Sequence, residues 1–353
     1  MKMCQALAQN GHQVLLLAPD VPDTEPGVAD PYHFYGVDNS FEIAKLPWLP
    51  FRVKGQGQLY GLLAAQKVRR LQPDLAYGRL LSGCFWGSLL SVPVVYESHG
   101  LVKDEAGWLS EWMFSQLIRR PQFKRLVVIS DWLKRYYQQQ YGLPERLITV
   151  AHDGADEPAS FEQMPFAGSH RLQVGYIGHL YAGRGMEMIS ALAKGCPWAD
   201  FHVIGGTGSD VAYWQNRLKE LENVVLHGFV PPAQTEAYRH SCDVLLAPYQ
   251  RRVSVHGERG VDTSRWMSPL KIFEYMAAGK AILCSDLPAL REVLTHEQTA
   301  LLCEPGNVPS WLAALERLRE EPSLRQHLGE RARAEFKAKY TWQARAENVL
   351  RGI

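Results

Sequence analysis

The stretch Ser268–Asp286, SPLKIFEYMAAGKAILCSD, carries the densest set of residues able to do chemistry. Ser268 suits a helix N-cap and Pro269 the first helical position. Gly279 suits the C-terminal cap, and a strand follows at once. The start of such a helix opens on a loop, where N–H groups without intrahelical partners and the helix dipole favour an anion. Leu270 and Glu274 share a face of it. A carboxylate one turn behind an anion-binding helix end reaches neutral hydroxyls of the same ligand, and a ribose diol is the natural candidate. A surface glutamate on an ordinary amphipathic helix fits the same spacing.

A second cluster lies in VGYIGHLYAGRGMEMI, around Gly178 and Gly185. Glycines after a strand let backbone approach a phosphate closely. Arg184 can clamp phosphate oxygens in bidentate fashion. His179 is a weaker cation, charged only in part near neutral pH. A solvated arginine and a turn histidine is the plainer reading. IGGTGSD, from Ile204 to Asp210, is a glycine-rich turn after a strand and reads as close packing, since such a turn alone is weak evidence of phosphate binding. In the first half, VVYESHG ends a strand with His99. Glu97 points to the same face and could orient it. Trp108, Trp112 and Phe114, followed by Arg119, Arg120, Lys124 and Arg125, fit either a membrane-surface helix with aromatic and basic faces or a core helix with a charged exit.

The elements that must position these residues alternate along the whole chain. Strands are expected over 13–18, 75–77, 94–97, 126–129 and 148–151, with helices between them such as Leu59–Leu71 and Asp131–Tyr141, the latter closed by Gly142. Near-continuous apolar character marks buried parallel strands. Asp153–His170, with Gly154, Pro158, Pro165 and Gly168, reads as a linker. The pattern then restarts with strands over 173–177, 200–204, 224–227, 244–247, 281–284 and 300–303. Two doubly wound parallel-sheet domains with a cleft between them follow.

Bulk properties agree with an α/β protein of about two domains. The chain has 353 residues, 46% of them apolar, and a net charge of +1. That balance argues against nucleic-acid binding by phosphate neutralisation. No apolar run approaches the roughly 20 residues of a membrane-spanning helix. Gln5, Gln9, Asn10 and His12 interrupt any signal-peptide core, so a cytoplasmic location is expected. None of the six cysteines forms a C-x2-C pair, so no zinc site is expected and the thiols read as small buried hydrophobes.

With these residues in view, the chain resembles retaining glycosyltransferase family 4. FEYMAAGKAILCSDLPALREVL follows that family's usual pattern, Glu-x7-Glu running into E-A-M-A-x-G-x-P-V. Glu274 matches the second glutamate, which in the family holds the nucleotide ribose. The first falls on Trp266. VGYIGHLYAGRGMEMI resembles the family's G-R-L-x3-K-G segment, with His179 and Arg184 at the two cationic positions. HGFVPPAQTEAYRHSCDVLLAP resembles the base-binding region, where backbone around Phe229 and Val230 would read the base edge. His99 matches a histidine that contacts the donor sugar. YTWQARAENVLRGI resembles the C-terminal helix that crosses back onto the first domain.

The resemblance implies a GT-B fold of two facing Rossmann-like domains. The first would be an acceptor-side domain over 1–160 and the second a nucleotide-sugar domain over 170–338, with a C-terminal helix over 339–353. It implies transfer of a hexose-type sugar from a UDP- or GDP-linked donor, with retention, to a glycan, lipid-linked or small-molecule acceptor. His99, Arg184 and Glu274 would be catalytic. Gly178, His179, Arg184, Gly185, Phe229, Val230, Pro269, Leu270, Lys271 and Glu274 would hold the donor. No metal and no separate cofactor are expected, since no Asp-x-Asp stands at a strand end. Peripheral contact with the inner membrane face would suit a lipid-linked acceptor. A sugar-nucleotide epimerase or hydrolase on the same fold, and a non-catalytic sugar-nucleotide-binding protein, are the rivals; Trp266 keeps the second open. The family begins one strand earlier, which makes Met1 an internal methionine on this reading.

Overall fold

Near-continuous apolar runs become buried parallel strands in both halves of the chain, because helices cover the sheets on either side. The computed structural model describes residues 1–21, 30–48, 55–158, 166, 170–253 and 261–353. Two units emerge: Met1–His152 together with Trp342–Ile353, and Asp153–Thr341.

In the first unit, β1 (Leu15–Asp20) pairs in parallel with β2 (Glu42–Pro47) as a two-stranded sheet. A separate four-stranded parallel sheet runs β3 (Ala76–Gly78), β4 (Val94–Ser98), β5 (Phe123–Val128), β6 (Ile148–Val150), in that order. Every residue of β4 is buried. The helix Asp131–Tyr141 starts where the Ser130 hydroxyl accepts from Leu133 N–H at 3.3 Å and stops at Gly142, whose φ of 65° suits glycine. β1 begins two residues later than the apolar run suggests, because its register is set by pairing Leu15 with Glu42. β2 itself was not expected: Glu42 and Lys45 break its apolar run, and the strand is at most half-buried.

The helix Trp108–Leu117 ends before Arg119. Arg125 lies on β5 and donates to the Val349 carbonyl at 3.2 Å, and Arg120 rests over the Phe85 ring. The basic residues are therefore a charged exit from the helix and not its second face, which removes the amphipathic membrane helix as first drawn. Trp108 and Trp112 do stand exposed on it, at 77% and 50%.

In the second unit six parallel strands follow the order β12, β11, β10, β7, β8, β9: β7 (Leu172–Ile177), β8 (Ala199–Ile204), β9 (Val224–Gly228), β10 (Val244–Ala247), β11 (Ala281–Ser285) and β12 (Leu301–Cys303). Alternate residues feed two cores: Val244 and Leu246 join one, Leu245 and Ala247 the other. The helices Met186–Gly195 and Val308–Glu320 cover one face, Leu270–Ala278 and Pro322–Lys339 the opposite one. Strand order reverses between β7 and β10, so the loops leaving their carboxyl ends diverge and open a crevice there. Ala155 N–H donates to the Tyr340 carbonyl at 3.1 Å, within this unit. Of the expected linker, residues 159–165 and 167–169, with Pro165 and Gly168, lie outside the described residues.

Ser268 does not cap the helix it precedes. The helix runs Leu270–Ala278 with Pro269 at its N-cap, and no side chain caps it. The Ser268 hydroxyl instead accepts from Asp153 N–H at 2.8 Å. That bond engages the hydroxyl expected to cap the helix.

Candidate functional site

The loop leaving β7 is pinned by three glycines that no other residue could replace without displacement. Gly178 has φ of 150°, and its N–H donates to the Ile204 carbonyl at 2.9 Å. A Cβ on Gly183 or Gly185 would lie 2.3 Å from the Arg252 carbonyl and 2.0 Å from that of Pro248. Both also have positive φ, 82° and 100°. Gly183 further accepts from Gln250 N–H at 2.9 Å, so the loop is held against the segment leaving β10. Between these anchors sits Arg184, with its guanidinium 5.5 Å from the centre of the Tyr249 ring. His179 stacks on Tyr181 with ring centres 4.8 Å apart, and its carbonyl accepts from the Tyr176 hydroxyl at 2.6 Å. Burial first, then the Arg184 charge, lowers the His179 imidazole below its ordinary range.

The Gly205–Gly206 turn after β8 packs against the same loop: a Cβ on Gly205 would lie 2.3 Å from the Gly178 carbonyl. The helix after it, Gly208–Leu218, closes its own start with a Thr207–Asp210 capping box. Close packing is thus the role of IGGTGSD. Gly205 N–H also donates to the Gly228 carbonyl at 2.7 Å, which ties in the turn carrying Phe229 and Val230. Phe229 is 69% exposed, while Val230 packs against the core.

The uncapped helix brings Lys271 to this strand end. Its amine lies 3.8 Å from the centre of the Tyr176 ring and 5.3 Å from that of Tyr249. A Cβ on Gly178 would come within 2.7 Å of it. Lys271 is 9% exposed, and its Nζ is buried with no hydrogen-bond partner among the described residues. Burial, then the Arg184 charge, hold the ammonium well below the usual lysine range, against the pull of Glu274. The ring face supports a cation by about 2 kcal/mol when desolvated. The cost of burying an ion is several kcal/mol, so burial prevails. Leu270, 49% exposed, marks the helix's outer side. One turn on, Glu274 accepts from Arg239 Nη1 at 3.3 Å. Arg239 also donates to Thr235 Oγ1 at 2.8 Å.

Gly178, His179, Arg184, Gly185, Lys271 and Glu274 are thus gathered at the crevice where strand order reverses. Trp266, at the position of the family's first glutamate, is 6% exposed. Arg239 was not anticipated; its only signal is Thr235, four residues back on one helix face.

His99 belongs to the first unit, at the end of β4. Its Nε2 meets Glu97 Oε1 in a short ion pair. Glu97, 4% exposed, also accepts from the Tyr77 hydroxyl and from Arg345, at 3.1 Å from Nη2 and 3.4 Å from Nη1. Burial raises the Glu97 carboxyl, but the His99 hydrogen bond and the Arg345 charge outweigh it and hold it well below the usual carboxylate range. Arg345 spends its Nε on the His152 carbonyl at 2.9 Å. Nothing in the sequence separates Arg345 from the other arginines near the C-terminus.

Comparison with known proteins agrees with this layout. A family model described as Glycosyltransferase Family 4 matches residues 1–157, and one described as Glycosyl transferase-like matches residues 184–351. An uncharacterized glycosyltransferase of Methanocaldococcus jannaschii is 21% identical over 99% of this chain and 91% of its own length. The sucrose-phosphate synthase of Thermosynechococcus elongatus superposes with a TM-score of 0.72 at 16% identity, over 98% of this chain and 89% of that one. Anabaena HepE in complex with UDP-glucose superposes with a TM-score of 0.69 at 16% identity, over 96% of this chain and 98% of its own. At that identity these two structures speak to the fold.

The buried amine makes a stability prediction. Folding depresses the Lys271 pKa, so the unfolded chain binds the extra proton. The resulting penalty is full below the folded pKa and fades as pH rises toward about 10.4. Lys271→Met should therefore stabilise the ligand-free protein by about 1–4 kcal/mol near neutral pH, and by less at pH 9.5. Urea titrations at the two pH values measure this; a variant less stable than the parent at both would contradict it.

Proposed function

Because this chain is a glycosyltransferase of the family-4 type with the GT-B fold, we propose that it transfers a hexose-type sugar from a nucleoside diphosphate with retention of anomeric configuration. The observation that carries the proposal is the meeting of Arg184 and Lys271 at the Tyr249 ring, with Lys271 against Gly178. The uncapped helix start at Pro269 stands beside them and Glu274 one turn behind. Two cations and an uncapped helix end suit a diphosphate, and the carboxylate behind them suits a ribose diol. The UDP-glucose in the HepE complex supports a uridine donor; a guanosine donor fits the same anion site.

In this reading Arg184 stabilises the charge that develops on the leaving diphosphate. A leaving phosphate oxygen takes the acceptor proton on the same face, so no enzyme base is required. His99 contacts the donor sugar, and Glu97, fixed by Arg345, orients its ring. The acceptor is a glycan, a lipid-linked sugar or a small molecule. Buried Trp266, in place of a carboxylate, also fits a protein that binds sugar nucleotides without turning them over. Turnover of UDP- and GDP-sugars with acceptor mixtures separates the two, since a binder gives saturable affinity and no product.

Three outcomes follow. Glu274→Ala should weaken donor binding by about 1.5–3 kcal/mol while the protein stays folded; calorimetry with the sugar nucleotide giving parental affinity would remove Glu274 from the site. Transfer should survive EDTA, because Arg184 and Lys271 supply the positive charge; activity lost to chelation and restored by magnesium or manganese would contradict this. The exposed Trp108 and Trp112 suit peripheral contact with a membrane bearing the acceptor. Co-flotation with anionic vesicles that is lost in the Trp108→Ala, Trp112→Ala double variant is expected, and equal flotation of the two proteins would rule the contact out.

A further inference from the structure

Lys271 is a poor choice for a purely structural position. Among the described residues its buried amine has no hydrogen-bond partner, and it lies against two aromatic rings that a methionine would pack as well. The groups that face it come from four directions. Tyr176 lies beneath it on β7, and Arg184 and His179 belong to the loop leaving that strand. Tyr249 follows β10, and Cys284 is on β11. Glu274, on its own helix, is engaged by Arg239 at 3.3 Å. Burial keeps Tyr176, Tyr249 and Cys284 protonated and uncharged. On the side of Gly178 no side chain intervenes, since even a Cβ there would come within 2.7 Å of the amine. The amine thus already lies against the first residue of the loop leaving β7.

We propose that Lys271 is a proton-gathering clamp for the donor diphosphate: it rests as a neutral amine on Tyr176 in the empty protein and becomes a charged phosphate ligand as the nucleotide binds, taking one proton from solvent. This rests on the nucleotide-sugar reading of the crevice. The proton balance is simple: the amine gains one proton, no covalent bond to the nucleotide forms, and the diphosphate supplies the counter-charge that Glu274 does not. Above the pKa of the empty-state amine, affinity then falls as pH rises, because each binding event must draw a proton from a scarcer supply.

Isothermal calorimetry at pH 8 in HEPES and in Tris tests this, with UDP, GDP and ADP as probes. At that pH the terminal phosphate is ionised and free His179 is neutral. The difference in binding heat between the buffers gives the protons taken up. The wild type should take up about one proton per site. His179→Gln should keep that uptake. Lys271→Arg, always charged, should bind without uptake. Lys271→Met should lose the uptake and bind about tenfold more weakly. Binding of a nucleotide to the wild type with no proton uptake would overturn the role of Lys271 alone, as would uptake that persists in Lys271→Arg or Lys271→Met. Failure of all three nucleotides to bind the wild type would overturn the nucleotide-sugar reading itself, and the clamp with it.

Discussion

Positive charge held at a strand end where backbone packs too tightly for any side chain is the constraint on which the second unit depends. Gly178 must stay bare because its φ of 150° strains any other residue, and a Cβ there would press on the Lys271 amine. Gly205 must stay bare because the Gly178 carbonyl occupies the space beside it. Gly183 and Gly185 must allow the loop to touch the carbonyls of Arg252 and Pro248. Each close approach lowers local access to water, which strengthens every electrostatic interaction at the crevice. The same tightness explains why Arg184 lies against Tyr249 and Lys271 against Tyr176: ring faces are the surfaces left for cations there.

The two units treat buried charge in opposite ways. In the first, Glu97 is surrounded by Tyr77, His99 and Arg345, so a carboxylate 4% exposed keeps its charge. Its arginine comes from a helix 248 positions further along the chain. That distance joins the C-terminal helix to the strand end bearing His99. In the second, Lys271 has no such partner. A buried ion left without compensation is costly, so burial favours the neutral amine here.

Much of this was legible in the sequence where the physical signal is local. The apolar runs around Val94, Tyr176, Val244 and Ile282 read directly as buried parallel strands, because burial on both faces leaves no alternation to blur them. Gly142 and Gly279 marked helix ends because both ends require left-handed backbone. β2 escaped notice because Glu42 and Lys45 on a half-buried strand resemble a loop. Ser268 was misread as a cap for a different reason: its hydroxyl has two possible local partners, and the choice of Asp153 N–H is a tertiary one. Arg239 and Arg345 were missed on the same grounds, since nothing within a few residues distinguishes an arginine that will be buried from one that will be solvated.

The misreading of Ser268 bears on the site itself. A serine cap would have satisfied first-turn N–H groups of the helix Leu270–Ala278 and left less for an anion to bind. By spending its hydroxyl on Asp153, Ser268 fixes the start of the second unit and leaves that helix start without a side-chain cap. The helix after Gly206, only one strand away in the sheet, closes itself with Thr207 and Asp210. Of the helix starts that follow β7, β8 and β10, those of Met186–Gly195 and Leu270–Ala278 have no side-chain cap, and the second of these also carries Lys271 and Glu274. On the proposed reading, capping chemistry leaves the two starts beside Arg184 and Lys271 open to an anion and closes the one after Gly206.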